Sequence, residues 1–173
     1  MRATKAFRVN LPIEQIDMHQ WVTEMTSEDY VSYTPQHKAL GSFVRGSRFF
    51  MVNVECIATD MLVQHYELLE HSKSHVKFYS PRTEGFVFRW FPVTFGVPWE
   101  MSLRPVDSRS CELKCTIGVE FSSALLGFFA RLNGTAFFMR RHLTTEGAAF
   151  AKDLERKFTS KRRQESWPDA ANS

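Results

Sequence analysis

The chain has 173 residues, a formal net charge of +3 and an apolar fraction of 43%. This length fits one domain with a sizeable core, and the mild positive charge lacks the dense basic face of a nucleic-acid-binding protein. We therefore predict a single soluble domain that does not bind nucleic acid. Because 16 Phe stand beside only 4 Tyr and 4 Trp, we expect a large aromatic interior.

The N-terminal segment shows no apolar core of a signal peptide, and the most apolar later stretch, 124–139, is interrupted by Arg131 and Asn133. We expect a cytoplasmic protein with no integral membrane segment. Cys111 and Cys115 are four residues apart in one predicted strand, which separates their Cα atoms by roughly 13 Å, too far for a disulfide. No metal-ligand spacing, dinucleotide fingerprint or phosphate-binding loop is present, so the sequence predicts no metal and no cofactor.

The first third of the chain predicts one strand and two helices. Residues 4–10 alternate as an opening strand, and an apolar face over 12–25 predicts a helix that Asn10 could cap. The capping sequence that starts at Thr26 predicts a second, short helix, which Pro35 ends.

From residue 39 the pattern becomes that of a β-meander. Runs rich in β-branched and aromatic residues are separated by short turn-like breaks, and such short connections join antiparallel neighbours. The predicted strands are 39–44, 48–58, 61–71, 74–80, 97–105 and 109–121. The segment 86–95 is either a further strand or a long apolar loop. Clean alternation in the last two strands predicts one buried face and one wet face.

After residue 121 the pattern becomes helical. A short amphipathic helix over 125–132 breaks at Asn133-Gly134, and a longer helix follows over 135–158. Its apolar stripe consists of Ala136, Met139, Leu143, Gly147, Phe150, Leu154 and Phe158. Residues 161–173 are polar and predict a disordered tail, so the domain is expected to span 1–160.

This element order, together with the closing helix and its HLTTEGAAFAKDLERKF run, resembles the superfamily of START, Bet v 1-like and polyketide-cyclase-like (SRPBCC) domains. The resemblance covers roughly residues 3–158. It implies an α+β helix-grip fold, in which a curved seven-strand antiparallel sheet wraps the C-terminal helix. It also implies a hydrophobic ligand held between sheet and helix. Some members of the superfamily are enzymes and others only carry ligands, and no catalytic set is common to them.

The candidate catalytic residues are His142, Glu146 and Glu55. His142 and Glu146 lie one helical turn apart, so the carboxylate could orient the imidazole as a general base, although an ordinary helix-shoulder pair has the same spacing. Glu55 shares its strand face with Asn53, and the alternation of the strand favours an outward position for that face.

The candidate ligand-binding residues are aromatic, methionine and histidine side chains expected near a cavity: Trp90, Trp99, Met101, Phe138, Met139, His65 and Tyr66. His65 and Tyr66 are adjacent in a strand, so only one of them can face the interior. His37, between Pro35 and a strand, could line a pocket mouth, although a loop histidine is the more ordinary interpretation. We expect a cavity of several hundred Å³ lined by Phe, Trp and Met.

Three functions stay open from the sequence. The first is binding or transport of a hydrophobic or aromatic small molecule, lipid- or polyketide-like. The second is an enzyme on the same scaffold, a cyclase, dehydratase or hydrolase of such a substrate. The third is a protein-interaction module. Convergence of polar side chains inside the fold would separate the enzyme from the carrier.

Overall fold

The fold contains a seven-stranded sheet, two short helices after the first strand and two helices at the C-terminal end. In this computed structural model the described residues are 1–57, 59–87, 90–132 and 134–165. The chain starts with β1 (Arg2–Val9), a 3₁₀ turn (Ile13–Gln15), α1 (Met18–Thr23) and α2 (Ser27–Tyr33). The remaining strands are β2 (His37–Arg45), β3 (Arg48–Ile57), β4 (Asp60–Ser72), β5 (His75–Val87), β6 (Phe91–Asp107) and β7 (Ser110–Gly118). The chain then forms α3 (Ala124–Leu132) and α4 (Thr135–Glu165).

All neighbouring strands in the sheet are antiparallel, in the order β1-β7-β6-β5-β4-β3-β2. The meander from β2 to β7 follows the chain, and β1 returns to pair with β7. The pairing register shifts within four of the strand pairs, for example between Ser80 and Thr83. Such irregularities bend strands, which suits a sheet that must curve around a helix.

The core lies between the inner face of the sheet and α4. Phe150 of α4 packs edge-on against Trp21 of α1 and contacts Trp99 of β6, whose ring stacks on Phe78 of β5. Leu143 and other members of the predicted stripe of α4 are also buried. The strands predicted before residue 121 and the helix predicted after it thus pack into one aromatic core. The strand residues Trp99, Met101, Leu113 and Cys115 are buried on the side that faces the helix.

Several boundaries differ from the prediction. The single helix expected over 12–25 is a 3₁₀ turn followed by α1, because Ile16 is extended and Asp17 caps a new helix by accepting from the backbone N–H of Gln20. The undecided segment 86–95 consists of the end of β5 and the start of β6, with 88 and 89 outside the described residues.

The C-terminal boundary also differs. α4 continues to Glu165, so residues 161–165 are helical and do not belong to a disordered tail. Residues 166–173 of the predicted tail lie outside the described residues. Within the described part of the chain, no helix is both long and apolar enough to span a membrane.

Candidate functional site

Four ionisable side chains meet in the interior between the sheet and α4. They are His37 at the start of β2, Glu55 on β3, and His142 and Glu146 on α4, and all four are buried. One nitrogen or oxygen from each lies within 4.8 Å of the others. Burial of such groups is costly unless they neutralise one another or hold a charged partner, so this cluster is the strongest candidate for a functional site.

His37 is held in place by α2. Its ring stacks on the ring of Tyr30, with centroids 3.8 Å apart, and its Nδ1 lies 2.8 Å from the backbone oxygen of Tyr30. A carbonyl oxygen only accepts, so Nδ1 is the donor in this hydrogen bond. In the neutral imidazole, Nε2 then carries a lone pair. This Nε2 faces Glu146 Oε1 at 3.2 Å.

Glu55 is fixed through one of its two oxygens. The Tyr30 hydroxyl donates to Glu55 Oε1. The Asn53 amide nitrogen lies 3.0 Å from the Tyr30 hydroxyl oxygen and 3.2 Å from Gln64 Oε1, which holds the tyrosine in position. The second oxygen, Glu55 Oε2, points into the cluster and lies 3.4 Å from His142 Nε2.

The two α4 residues complete the cluster, with His142 Nε2 3.9 Å from Glu146 Oε1. Burial alone would lower the pKa of His142, but the interaction with Glu55 and the charge of Glu146 outweigh burial and raise that pKa to about 9. Burial would raise the pKa of Glu55, but His142 and His37 reverse its effect and lower the pKa. At neutral pH these shifts favour a protonated His142 and an ionised Glu55.

Several of the converging atoms lack a hydrogen bond. His37 Nε2, Glu55 Oε2 and both ring nitrogens of His142 are buried without a hydrogen-bond partner. The first two and His142 Nε2 have charged or polar neighbours 3.2 to 3.9 Å away. Each unsatisfied buried polar atom costs about 1–3 kcal/mol. Chemically, the four side chains could exchange a proton or ligate a cation.

Solved structures with very different sequences share the architecture around this cluster. A protein from Thermus thermophilus matches with a TM-score of 0.64 at 15% identity, over 93% of this chain and 99% of that one. A START superfamily protein from Mycobacterium smegmatis gives 0.60 at 15% identity, over 90% and 97% of the two chains. The Zhui aromatase/cyclase from Streptomyces sp. R1128 gives 0.58 at 9% identity, over 97% and 99%.

The chain has the START / Bet v 1-like helix-grip fold. The predicted fold class is confirmed, because the seven-stranded antiparallel sheet and the long C-terminal helix are both present. No protein-family model matches the chain, and no curated protein matches it either. At these identities the likeness establishes the helix-grip fold alone.

The three predicted catalytic candidates, His142, Glu146 and Glu55, come together in this helix-grip interior. Their catalytic roles stay predictions. The expectation that Glu55 faces outward is wrong, since its side chain is buried against α4. Alternation separates the two faces of a strand but does not say which one is inside. Here the more apolar face points outward and is partly covered across the strands, where Phe50 stacks on Phe43.

Sequence reasoning did not place His37 among the catalytic candidates. It is the first residue of β2 and is buried, so its interpretation as a loop histidine is wrong. The signal that could have found it is the short connection from Tyr33, the last residue of α2, which brings the strand start back under that helix. The stacking on Tyr30 is a tertiary contact that no local pattern encodes.

The predicted ligand-binding residues divide into two groups. Four are buried inside the helix-grip fold: Tyr66, Trp99, Met101 and Met139. His65 is exposed on the outer face of the sheet, which contradicts its assignment to the cavity, because its neighbour Tyr66 takes the inward position. Trp90 is 83% exposed in the turn before β6, and Phe138 is 39% exposed near the start of α4, so neither lines the interior.

Two open clefts lie at one end of the helix-grip sheet, where β7 leads into α3. One, of about 350 Å³, has Met1, Glu120, Phe121 and Phe128 among its lining residues. The other, of about 420 Å³, shares Glu120 and Phe121 and adds Phe95. None of the predicted ligand-binding residues lines either cleft, and the cavity expected between the sheet and the C-terminal helix stays a prediction.

Proposed function

We propose that the protein binds a hydrophobic small molecule, lipid- or polyketide-like, at the end of the sheet where β7 leads into α3. The observation that carries the proposal is α3, an apolar helix with no buried residue. Large apolar patches on a protein surface mark sites where a ligand or partner is bound. The exposed side chains are Leu125, Leu126, Phe128, Phe129 and Leu132.

The two clefts support the same proposal. Both volumes fall within the range of roughly 300–1,000 Å³ usual for small-molecule sites. Phe121 lines both clefts, and its ring lies 5.6 Å from that of Phe95. A ligand could enter between α3 and the strand ends. Its apolar surface would then leave water and pack against these rings.

Native mass spectrometry of the purified protein, together with ANS fluorescence, tests the proposal. We expect a bound small molecule, native-state dye binding, and a loss of dye affinity in Phe121→Asp of about 10- to 100-fold, as removal of one buried phenyl contact implies. Phe43→Asp is the matched control, because Phe43 is an exposed Phe on β2, at the other edge of the sheet. Absence of both ligand and dye binding would refute the proposal and favour the protein-interaction module.

An enzyme acting on such a molecule is the second candidate function. The convergence of His142 with Glu55 and Glu146 inside the fold favours it, since buried ionisable clusters with shifted pKa values are typical of active sites. The reaction class would be proton transfer in a cyclisation, dehydration or hydrolysis, with His142 as the acid.

The masses of co-purified ligands distinguish the enzyme from the carrier. If a ligand co-purifies with an enzyme that has turned it over, the wild type carries product, whereas His142→Ala, with a rate loss of roughly 10²–10⁴, would carry the unconverted substrate. We therefore expect a different ligand mass in His142→Ala than in the wild type. The control is His75→Ala, which removes a histidine paired with Glu100 at the sheet surface. Identical ligand masses in all three proteins would leave carriage as the function.

A further inference from the structure

We propose that His37, Glu55, His142 and Glu146 form a binding site for a divalent first-row transition-metal ion of the zinc type. The inference goes beyond the proposed function, because ligand binding at the α3 clefts does not require it. The four residues come from three separate elements, β2, β3 and α4, so they meet only in the folded chain. They lack the local spacing of a sequence motif, which is why the sequence predicted no metal.

The first argument is the pairing of two acceptors. Nδ1 of His37 donates to the Tyr30 carbonyl, so Nε2 of the neutral ring is an acceptor. It faces a carboxylate oxygen of Glu146, which is also an acceptor, at 3.2 Å. Two lone pairs at this distance repel each other unless a proton or a cation lies between them. A cation between them would satisfy both lone pairs, and also those of the other atoms that point into the cluster.

The second argument is the set of unsatisfied atoms. Three atoms that point into the cluster, His37 Nε2, Glu55 Oε2 and His142 Nε2, are buried and make no hydrogen bond. The separations within its ion pairs run from 3.2 to 3.9 Å. Ligand atoms about 2.0–2.2 Å from a tetrahedral zinc lie roughly 3.3 Å from one another. Small side-chain rotations would therefore bring the four atoms to a common centre.

The third argument is charge. A bound metal displaces protons from its ligands, so in the bound form two carboxylates and two neutral imidazoles contribute a charge of about −2, which a divalent cation neutralises. In the described part of the chain no lysine or arginine pairs with Glu55 or Glu146. The mixed nitrogen and oxygen ligands suit zinc, iron, cobalt or manganese, whereas calcium and magnesium prefer oxygen alone.

The surroundings of two ligands have the form of a metal site. Ligating histidines usually donate their second nitrogen to a carbonyl or carboxylate, and ligating carboxylates are themselves hydrogen-bonded. His37 meets the first condition through Tyr30, and Glu55 meets the second through the same tyrosine. His142 Nδ1 has no such partner. Tyr30 is therefore the residue outside the ligand set that matters most.

The test is titration of the chelator-treated full chain with Zn²⁺, Co²⁺ and Mg²⁺, followed by native mass spectrometry and calorimetry. We expect one Zn²⁺ or Co²⁺ per chain, a higher melting temperature with the metal, and no tight binding of Mg²⁺. Glu146→Gln and His37→Ala should each weaken Zn²⁺ binding on the order of 100-fold or more, and Tyr30→Phe by about 10-fold.

Two surface variants are the controls. The pair His75→Ala/Glu100→Gln removes an exposed histidine–carboxylate contact of 3.0 Å, and His71→Ala removes a histidine stacked on His19, where metal could bind at the surface. Neither control should alter Zn²⁺ affinity.

The proposal is overturned if no metal binds, if binding persists unchanged in Glu146→Gln and His37→Ala, or if it is lost in His71→Ala. Circular dichroism of the metal-free variants reports whether they fold. If a variant of one of the four metal ligands does not fold, the Zn²⁺ affinity of Tyr30→Phe tests the proposal instead, because this variant keeps all four ligands. A failed metal titration leaves the dye and ligand measurements at Phe121 untouched, so the two proposals can fail separately.

Discussion

Asp153 joins three helices through one buried carboxylate. It lies on α4 and accepts from Trp21 Nε1 of α1 at 2.9 Å and from the Tyr33 hydroxyl of α2 at 2.7 Å. Arg156, one turn further along α4, donates to the other oxygen. Both aromatic donors are buried, so the carboxylate satisfies polar groups that water does not reach.

We expect Asp153→Ala to lower the free energy of unfolding by about 3 kcal/mol or more, because it leaves two buried donors without an acceptor. Chemical denaturation with a tryptophan fluorescence readout measures the change. The exposed neighbour Lys152 provides the comparison, and Lys152→Ala should stay within about 0.5 kcal/mol of the wild type. Equal stabilities of the two variants would mean that Asp153 does not anchor the short helices.

At the residue scale the sequence predicted the pairs that local spacing determines. His142 and Glu146 are one turn apart on a helix, and their proximity follows from helix geometry. The inward position of Glu55 and the burial of His37 depend on which strand face meets α4 and on the stacking of His37 against Tyr30. Both depend on tertiary packing. The short connection from Tyr33 is a signal for the position of His37, but strand alternation does not say which face of β3 is inside.

α4 approaches β1 closely at one glycine. A Cβ atom added at Gly147 would lie 2.2 Å from Cε2 of Phe7, so the aromatic ring of β1 occupies the space of a side chain on the helix. Glycine in a helix interior is less favourable than alanine by about 1 kcal/mol. The packing of Phe7 against the helix backbone offsets that cost, and it fixes the distance between α4 and the edge of the sheet.

We expect Gly147→Ala to destabilise the wild type by about 1–3 kcal/mol, as overpacking does. In a Phe7→Ala background the clash is absent, so the same substitution should stabilise by up to about 1 kcal/mol through helix propensity. Denaturation of the wild type, the two single variants and the double variant measures the reversal. The same sign in both backgrounds would contradict the proposed contact.

Helices and strands were predicted correctly where a single hydrophobic periodicity extends over many residues. The stripe of α4 and the alternation of β6 and β7 gave the correct element types. The prediction was wrong where a local backbone choice intervened, as at Asp17, whose side chain caps α1 after an extended residue. Pro92 and Gly96 obscured the strand pattern at the start of β6, because both residues are depleted in strands.

Across the whole molecule, β7 occupies an internal position that links the two ends of the domain. It pairs with β1 on one side and β6 on the other, so residues far apart in the chain become neighbours, as in the pair Lys5 and Cys115. This long-range closure is not encoded in any short segment. Cys111 and Cys115 are both buried on β7, whereas Cys56 of β3 is only partly buried, and all three are free thiols.

The three thiols should therefore react at two different rates. Burial and the charges of Glu155 and Glu14 raise the pKa of Cys111 to about 11, and burial also raises the pKa of Cys115. Because a thiolate is the reactive form, we expect one fast thiol, Cys56, and two that react at least about 10³-fold more slowly, after opening of the sheet.

Stopped-flow modification with a chromogenic disulfide, in the native state and in denaturant, measures the rates. Cys56→Ser should remove the fast phase and leave both slow thiols, and denaturant should make all remaining thiols fast. The rates of the two slow thiols should follow global stability, so Asp153→Ala should accelerate both of them together. Fast reaction of Cys111 or Cys115 in the native wild type would mean that β7 is exposed by local opening, and that the closure of the sheet through β1 is weaker than its pairing indicates.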